Sequence, residues 1–339
     1  MKILIVTQKA DRTDPILGFF HRWVEELAKR CERVIVVAQS EGEHAFPPNV
    51  EVWSLGKEKG YSRWRQVARF WELQWMLRDR YDAAFVHMTP VWVVLGAKIW
   101  ALLRTPVFLW YEVRRGGRVL RTAVKIARKV FSATADGMPF PSEKTLVVGH
   151  GIDTALFRPG AEAERDPHLL LTVGRVTPIK RFDVILRALA DLPRPYRLLI
   201  GGGPVLPSDR KTLAELTAFL RENEMEDRVE IRFLSQEEVA AAMRRARLFL
   251  HACGGGLDKV VLEAMASGCP ILSCGEAAPN VLPASCLSSP EDFPLRAAEM
   301  LAMPDLERED MQRELRATIE RDHALARLAD RLVAEMDAR

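Results

Sequence analysis

The sequence predicts an α/β protein made of two doubly wound parallel-sheet domains that face each other across a cleft. Apolar runs of strand length alternate with stretches of helical periodicity throughout, the pattern of parallel strands joined by crossover helices. The pattern occurs twice, on either side of a polar, Pro-flanked stretch at 159–167 that reads as a linker. At 339 residues the chain also exceeds what a single hydrophobic core supports.

In the first copy, strands are expected over 2–7, 34–38, 50–54, 83–87, 107–110, 133–135 and 145–148, with helices over 18–31 and 63–80. In the second, strands are expected over 168–173, 196–201, 229–233, 248–251, 270–274 and 285–287, with helices over 182–191, 208–223, 236–245 and 259–267. The domains are accordingly 1–160 and 161–315. The charged stretch from Leu306 reads as two amphipathic helices without a strand partner, and 316–339 as a helix that returns to the first domain. Trp64, Val67, Trp71 and Trp75 share one helical face, with Phe70 at its edge, and core packing is the expected use of that face.

Composition narrows the function. A chain that is 48% hydrophobic and 28% charged is of the soluble globular class. Five cysteines, at 31, 253, 269, 274 and 286, show neither a C-x-x-C pair nor a nearby His at metal-ligand spacing, which argues against a disulfide framework and a zinc site. The apolar start at 2–7 is too short for a signal peptide, and the longest apolar stretch, 91–103, is interrupted by Lys98 and too short to span a bilayer. The expected location is cytoplasmic, with attachment to the inner face of the membrane as an extension. Residues 1–160 carry 25 Lys and Arg against 16 Asp and Glu, whereas the remainder carries 24 against 30. Seven of the cations fall between Arg114 and Lys129 in a segment without an acid, interleaved with Val119, Leu120, Val124 and Ile126. That is a basic amphipathic helix, equally suited to a solvated face and to an anionic membrane surface. No nucleic-acid motif accompanies the basic half, and no G-x-G-x-x-G follows the first strand as a dinucleotide site requires.

Two Gly-rich loops carry the chemistry. Gly174, Arg175 and Lys180 follow the strand at 168–173 and precede a helix. Arg175 offers planar, bidentate hydrogen bonding to phosphate and Lys180 a point charge, so the loop suits a departing diphosphate; Gly201, Gly202 and Gly203 turn the chain after the next strand. The second loop, Gly254, Gly255, Gly256, Leu257 and Asp258, feeds a helix through Lys259 and Glu263. Unpaired N–H groups at such a junction suit a phosphate or a sugar edge, and equally an ordinary turn before an amphipathic helix.

Further segments fall in register with these. They are Val147 to Pro159, the Gly174 to Lys180 loop, Ile200 to Pro204, Ile231 to Leu234, Leu257 to Pro270, and His323-Ala324-Leu325. In this order and over nearly the full length, the chain resembles glycosyltransferase family 4, retaining enzymes with two Rossmann-like domains in the GT-B fold. The resemblance implies a UDP- or GDP-sugar donor as substrate and no cofactor or metal, which agrees with the absence of an Asp-x-Asp triplet. It places Arg175 and Lys180 on the diphosphate, Glu263 on the ribose, and Phe233 and Leu234 beside the base, with Gly174, Gly202, Gly255, Gly256, Leu257, Asp258 and Lys259 completing the donor site. Gly18 would pass near the phosphates, His87 would end its strand beside donor sugar and acceptor as a third catalytic residue, and Tyr111 and Glu112 would line the acceptor side. The acceptor would be a saccharide or a lipid-linked sugar. Position 255 departs from the family: an acid that contacts the transferred sugar is usual there, and this chain has Gly255. The alternative function is therefore a catalytically weak homologue that binds carbohydrate or serves assembly.

Overall fold

The computed structural model describes residues 1–14, 16–161 and 165–338, in two compact units: 1–151 with 322–339, and 152–321. In the first, the chain runs through β1 (Lys2–Ala10), α1 (Phe19–Ala28), β2 (Arg33–Glu41), β3 (Val50–Ser54), α2 (Arg63–Met76), β4 (Ala83–His87), α3 (Pro90–Leu102), β5 (Val107–Trp110), α4 (Arg118–Ile126), β6 (Lys129–Ser132) and β7 (Thr145–Val147). The strands form one parallel sheet in the order β3-β2-β1-β4-β5-β6-β7. Continuous apolar strands suit a sheet covered on both faces. Ile3 and Ile5 of β1 join a core with Phe20 and Trp23 of α1, and Leu4 and Val6 join one with Phe70 of α2, Trp100 of α3 and Leu120 of α4.

The second unit contains β8 (Leu169–Val173), α5 (Phe182–Asp191), β9 (Arg197–Gly201), α6 (Asp209–Glu222), β10 (Val229–Arg232), α7 (Gln236–Arg245), β11 (Leu248–His251), α8 (Lys259–Ala266), β12 (Ile271–Ser273), α9 (Phe293–Leu301) and α10 (Asp305–Asp322). Its sheet is also parallel, in the order β10-β9-β8-β11-β12. The order reverses between β8 and β11, so the loops after these strands flank a switch point, where open α/β sheets bind ligands. The last helix, α11 (Leu325–Asp337), belongs to the first unit, where Leu328 and Leu332 share the core of α1.

Three expectations change. The strand expected at 133–135 lies at Lys129–Ser132, because the Glu112 carboxylate takes the backbone N–H groups of Ala133 and Thr134. The basic helix is confined to Arg118–Ile126, preceded by Gly116 and Gly117. The segment at 285–287 is a 3₁₀ turn over Ala284–Cys286 with a single bridge from Leu287 to Ser273. The linker expected at 159–167 includes 162–164, which lie outside the described residues.

The tryptophan face of α2 is the largest departure. Trp64, Trp71 and Trp75 are 84%, 45% and 53% exposed, and the buried side is formed by Gln66, Phe70, Leu73 and Gln74. Both glutamines sit inside on hydrogen bonds, Gln66 Nε2 donating to the Tyr61 carbonyl and Gln74 Oε1 accepting from the Tyr81 hydroxyl. A buried polar group costs little when it is paired, as Gln66 Nε2 and Gln74 Oε1 are, although Gln74 Nε2 is left without a partner among the described residues; a hydrophobicity pattern cannot register such pairing. Apolar stretch 91–103 is accounted for by α3, and no helix is long and apolar enough to cross a membrane among the described residues.

Candidate active site

Three loops at the carboxyl ends of β8, β9 and β10 are knitted together by backbone hydrogen bonds. Gly174 N–H donates to the Gly201 carbonyl at 3.1 Å, Val176 N–H to Gly203 at 3.0 Å, and Gly202 N–H to Arg232 at 2.8 Å. Only glycine permits this approach: a Cβ on Gly202 would lie 2.0 Å from the Gly174 carbonyl oxygen. Phe233 packs its ring on Gly203 yet remains 55% exposed, and Leu234 packs on Gly201.

On this frame each of the two cations has a carboxylate behind it. Arg175 Nε lies 3.5 Å from Asp209 Oδ2. Asp209 is itself buried at the start of α6 and accepts the Val205 and Leu206 N–H groups at 3.0 and 2.9 Å. Lys180 folds back over Gly174, where a Cβ would approach its Cε to 3.0 Å, and pairs with Asp258. Asp258 Oδ2 also meets His251 Nε2 at 3.1 Å, and His251 Nδ1 meets Ser273 Oγ at 2.8 Å. Burial works against ionisation of Asp258, but the His251 hydrogen bond and the Lys180 charge outweigh it and hold the carboxyl well below its usual range. The result is a pair of oriented cations, Arg175 outermost, beside a set of Gly-rich turns.

The loop after β11 completes this side. Gly254 N–H donates to the Ile179 carbonyl at 2.9 Å, which ties it to the loop of Lys180. Gly256 has open space where a side chain would begin, while Leu257 packs on the core. One turn into α8, Glu263 is buried opposite Lys259. Burial pushes Glu263 up and Lys259 down, and each charge partly offsets the shift of the other.

His251, Cys253 and Asp258 offer ligand atoms within 4.8 Å of one another; His251 stands two residues before Cys253, which corrects the expectation that no His lies near a cysteine. The Lys180 ammonium stands where a cation would approach Asp258, and burial lifts the Cys253 thiol to about 11, with the Asp258 charge adding to the shift. This donor set suits the ammonium already present better than a metal ion.

The first unit holds the other expected residues. His87 ends β4 inside the packed interior, 1% exposed, with its ring stacked on Phe20 at 3.9 Å and its Nδ1 3.3 Å from Thr7 Oγ1. Gly18 precedes α1 under the carbonyls of Arg12 and Asp14. The Tyr111 hydroxyl donates to the Arg115 carbonyl at 2.6 Å, and Glu112 accepts from Ser132, Ala133 and Thr134. These last two side chains thus spend their polar atoms on loop structure.

Residues 167–303 match the family model described as "Glycosyl transferases group 1". The fold is of the two-domain GT-B type, and residues 167–303 are similar to the group 1 glycosyl transferases. It is 29% identical over 224 residues to the D-inositol 3-phosphate glycosyltransferase of Mycolicibacterium smegmatis, covering 60% of this chain and 49% of that protein. The namesake from Mycobacterium bovis is 32% identical, with 60% and 44% covered. The chain therefore spans about half the length of the curated relatives it matches. Among solved structures, HepE of Anabaena in complex with UDP aligns over 100% of both chains with a TM-score of 0.78 at 18% identity; a second structure of that protein holds UDP-glucose. At that identity the likeness establishes the fold.

Asp209 and His251 were not singled out in the sequence. His251 ends a strand beside the switch point, as His87 ends β4, and that position was the available signal. Asp209 looks like any acid in a first helical turn, and only the chain path brings it to Arg175.

Proposed function

We propose that this chain transfers a hexose from a nucleoside diphosphate sugar to a saccharide or lipid-linked acceptor, with retention of anomeric configuration and without a metal. The observation that carries the reading is the pair of cations on the interlocked glycine loops, Arg175 backed by Asp209 and Lys180 backed by Asp258. The bond from the anomeric carbon to the diphosphate breaks as the acceptor hydroxyl attacks on the same face, and the acceptor proton passes to the leaving diphosphate. Arg175 and Lys180 take up the negative charge that develops on the leaving group, a stabilisation that preoriented donors provide without reorganisation. Glu263 accepts the ribose hydroxyls, and the exposed ring of Phe233 with Leu234 borders the base.

The acceptor belongs, on this reading, to an anionic membrane surface. The support is the outward Trp64, Trp71 and Trp75 of α2, accompanied by Arg63, Arg65, Arg69 and Arg78, a combination suited to lipid headgroups. Release of nucleoside diphosphate from a panel of UDP-, GDP- and ADP-sugars, with and without a chelator, tests the reading. Chelator-resistant turnover supports it. Tight nucleotide binding with no turnover would instead identify a carbohydrate-binding homologue.

A further inference from the structure

Hydroxyl groups of a sugar are held most firmly by charged acceptors, and the loop after β11 runs through Ala252, Cys253, three glycines and Leu257 before its first acid. That acid, Asp258, is committed to Lys180 and His251. Glu263 is buried further along α8 against Lys259. A third carboxylate lies close by, contributed by the loop after β12.

Glu276 Oε1 is 3.6 Å from where a Cβ on Gly254 would sit. Among the described residues its carboxylate makes no hydrogen bond or ion pair, and the residue is exposed. Its backbone, by contrast, is fixed. Glu276 N–H donates to the Cys253 carbonyl at 3.2 Å, and the preceding Gly275 N–H donates to Ser273 Oγ at 3.0 Å, the same hydroxyl that meets His251. Gly275 is required there, since a Cβ would fall 2.6 Å from His251 Cε1. The loop thus presents an uncommitted carboxylate from a pinned backbone, on the edge of the glycine turn beside Lys180.

We propose that Glu276 binds hydroxyl groups of the sugar carried by the donor and thereby sets which hexose the site accepts. The inference rests on the nucleotide-sugar reading above. A ring whose anomeric oxygen is attached to a diphosphate at Arg175 and Lys180 lies next to the Gly254 turn, and Glu276 is the carboxylate free to accept from it.

Binding calorimetry on the full chain separates this from the reading beneath it. The quantity is the sugar increment, the affinity ratio of a nucleotide sugar to its own nucleoside diphosphate, across UDP-glucose with UDP, UDP-galactose with UDP and GDP-mannose with GDP. Glu276→Ala is expected to lower the largest wild-type increment by about tenfold while leaving diphosphate affinity within about twofold, and Glu276→Gln to fall between. An unchanged increment in Glu276→Ala, or a wild type with no increment for any sugar, would overturn the assignment while nucleoside diphosphate binding leaves the underlying reading standing. Failure of the wild type to bind any nucleoside diphosphate would contradict that reading, and this assignment with it.

Discussion

Lys180 and Asp258 form an ion pair that joins the loops after β8 and β11 across the point where the strand order of the second sheet reverses. The carboxylate holds the ammonium in place, and on the proposed reading the same ammonium serves the diphosphate of the donor. Asp258→Asn is expected to lower the stability of the second unit by about 2 kcal/mol, the order found when one partner of a largely buried pair loses its charge. Chemical denaturation of the variant and the wild type at neutral pH measures this.

The same pair sets an acid limit. The folded-state pKa of Asp258 is depressed, so its contribution to stability is complete above the unfolded value of about 4 and is lost as pH falls toward the folded value. Melting temperature should decline from about pH 5 downward, and Asp258→Asn should flatten that decline. Parallel slopes for the two proteins would mean that other carboxylates govern acid unfolding.

On the proposed reading, Asp209 acts on the nucleotide only through Arg175, whose Nε it faces at 3.5 Å. Asp209→Asn should weaken nucleoside diphosphate binding by about threefold to tenfold, less than Arg175→Ala, and the double variant should be no worse than Arg175→Ala alone. Independent, additive losses would show that Asp209 has a separate role.

Gly202→Ala tests the interlocked loops. A methyl group 2.0 Å from the Gly174 carbonyl oxygen meets backbone that cannot rotate away, which should cost about 1–3 kcal/mol and move Arg175 and Lys180 out of register. Reduced melting temperature together with loss of the nucleoside diphosphate shift is expected. A fully stable variant that still binds would show that the loops can separate.

The tryptophans of α2 separate packing from docking. Substituting Trp64 and Trp75 by Ser should leave the melting temperature within a degree or two, because exposed side chains contribute little to the core. Core tryptophans would cost about 3–5 kcal/mol each. Cosedimentation with vesicles containing anionic lipid at low salt should fall sharply in the same variant. Retention on vesicles would show that these tryptophans do not carry membrane binding, and a wild type that fails to sediment with vesicles would remove the membrane from the account.

The fold was largely legible because strands buried on both faces are apolar without interruption, so β1, β4, β5, β8 and β11 stand out from their polar surroundings. The glycine loops and their cations were legible for a related reason: Gly174, Arg175, Lys180 and Gly202 sit directly after such strands. What escaped depends on pairing across the chain. Gln66 and Gln74 face inward on partners that no periodicity records, which displaced the buried side of α2. The path of β6 was set by Glu112, twenty residues upstream of the hydroxyl it holds on Ser132. Asp209, His251 and Glu276 come near Arg175, Lys180 and the Gly254 turn only because separate loops converge there, and composition within each loop carries no trace of the others.

The central claim is that Arg175 and Lys180 hold the diphosphate of a nucleotide sugar. Isothermal titration of the wild type, Arg175→Ala and Lys180→Ala with UDP, GDP and ADP tests it most directly. The account predicts micromolar binding of at least one nucleotide by the wild type, weakened about tenfold or more in either variant. Binding that is unaffected by both substitutions, or absent from the wild type, would contradict it.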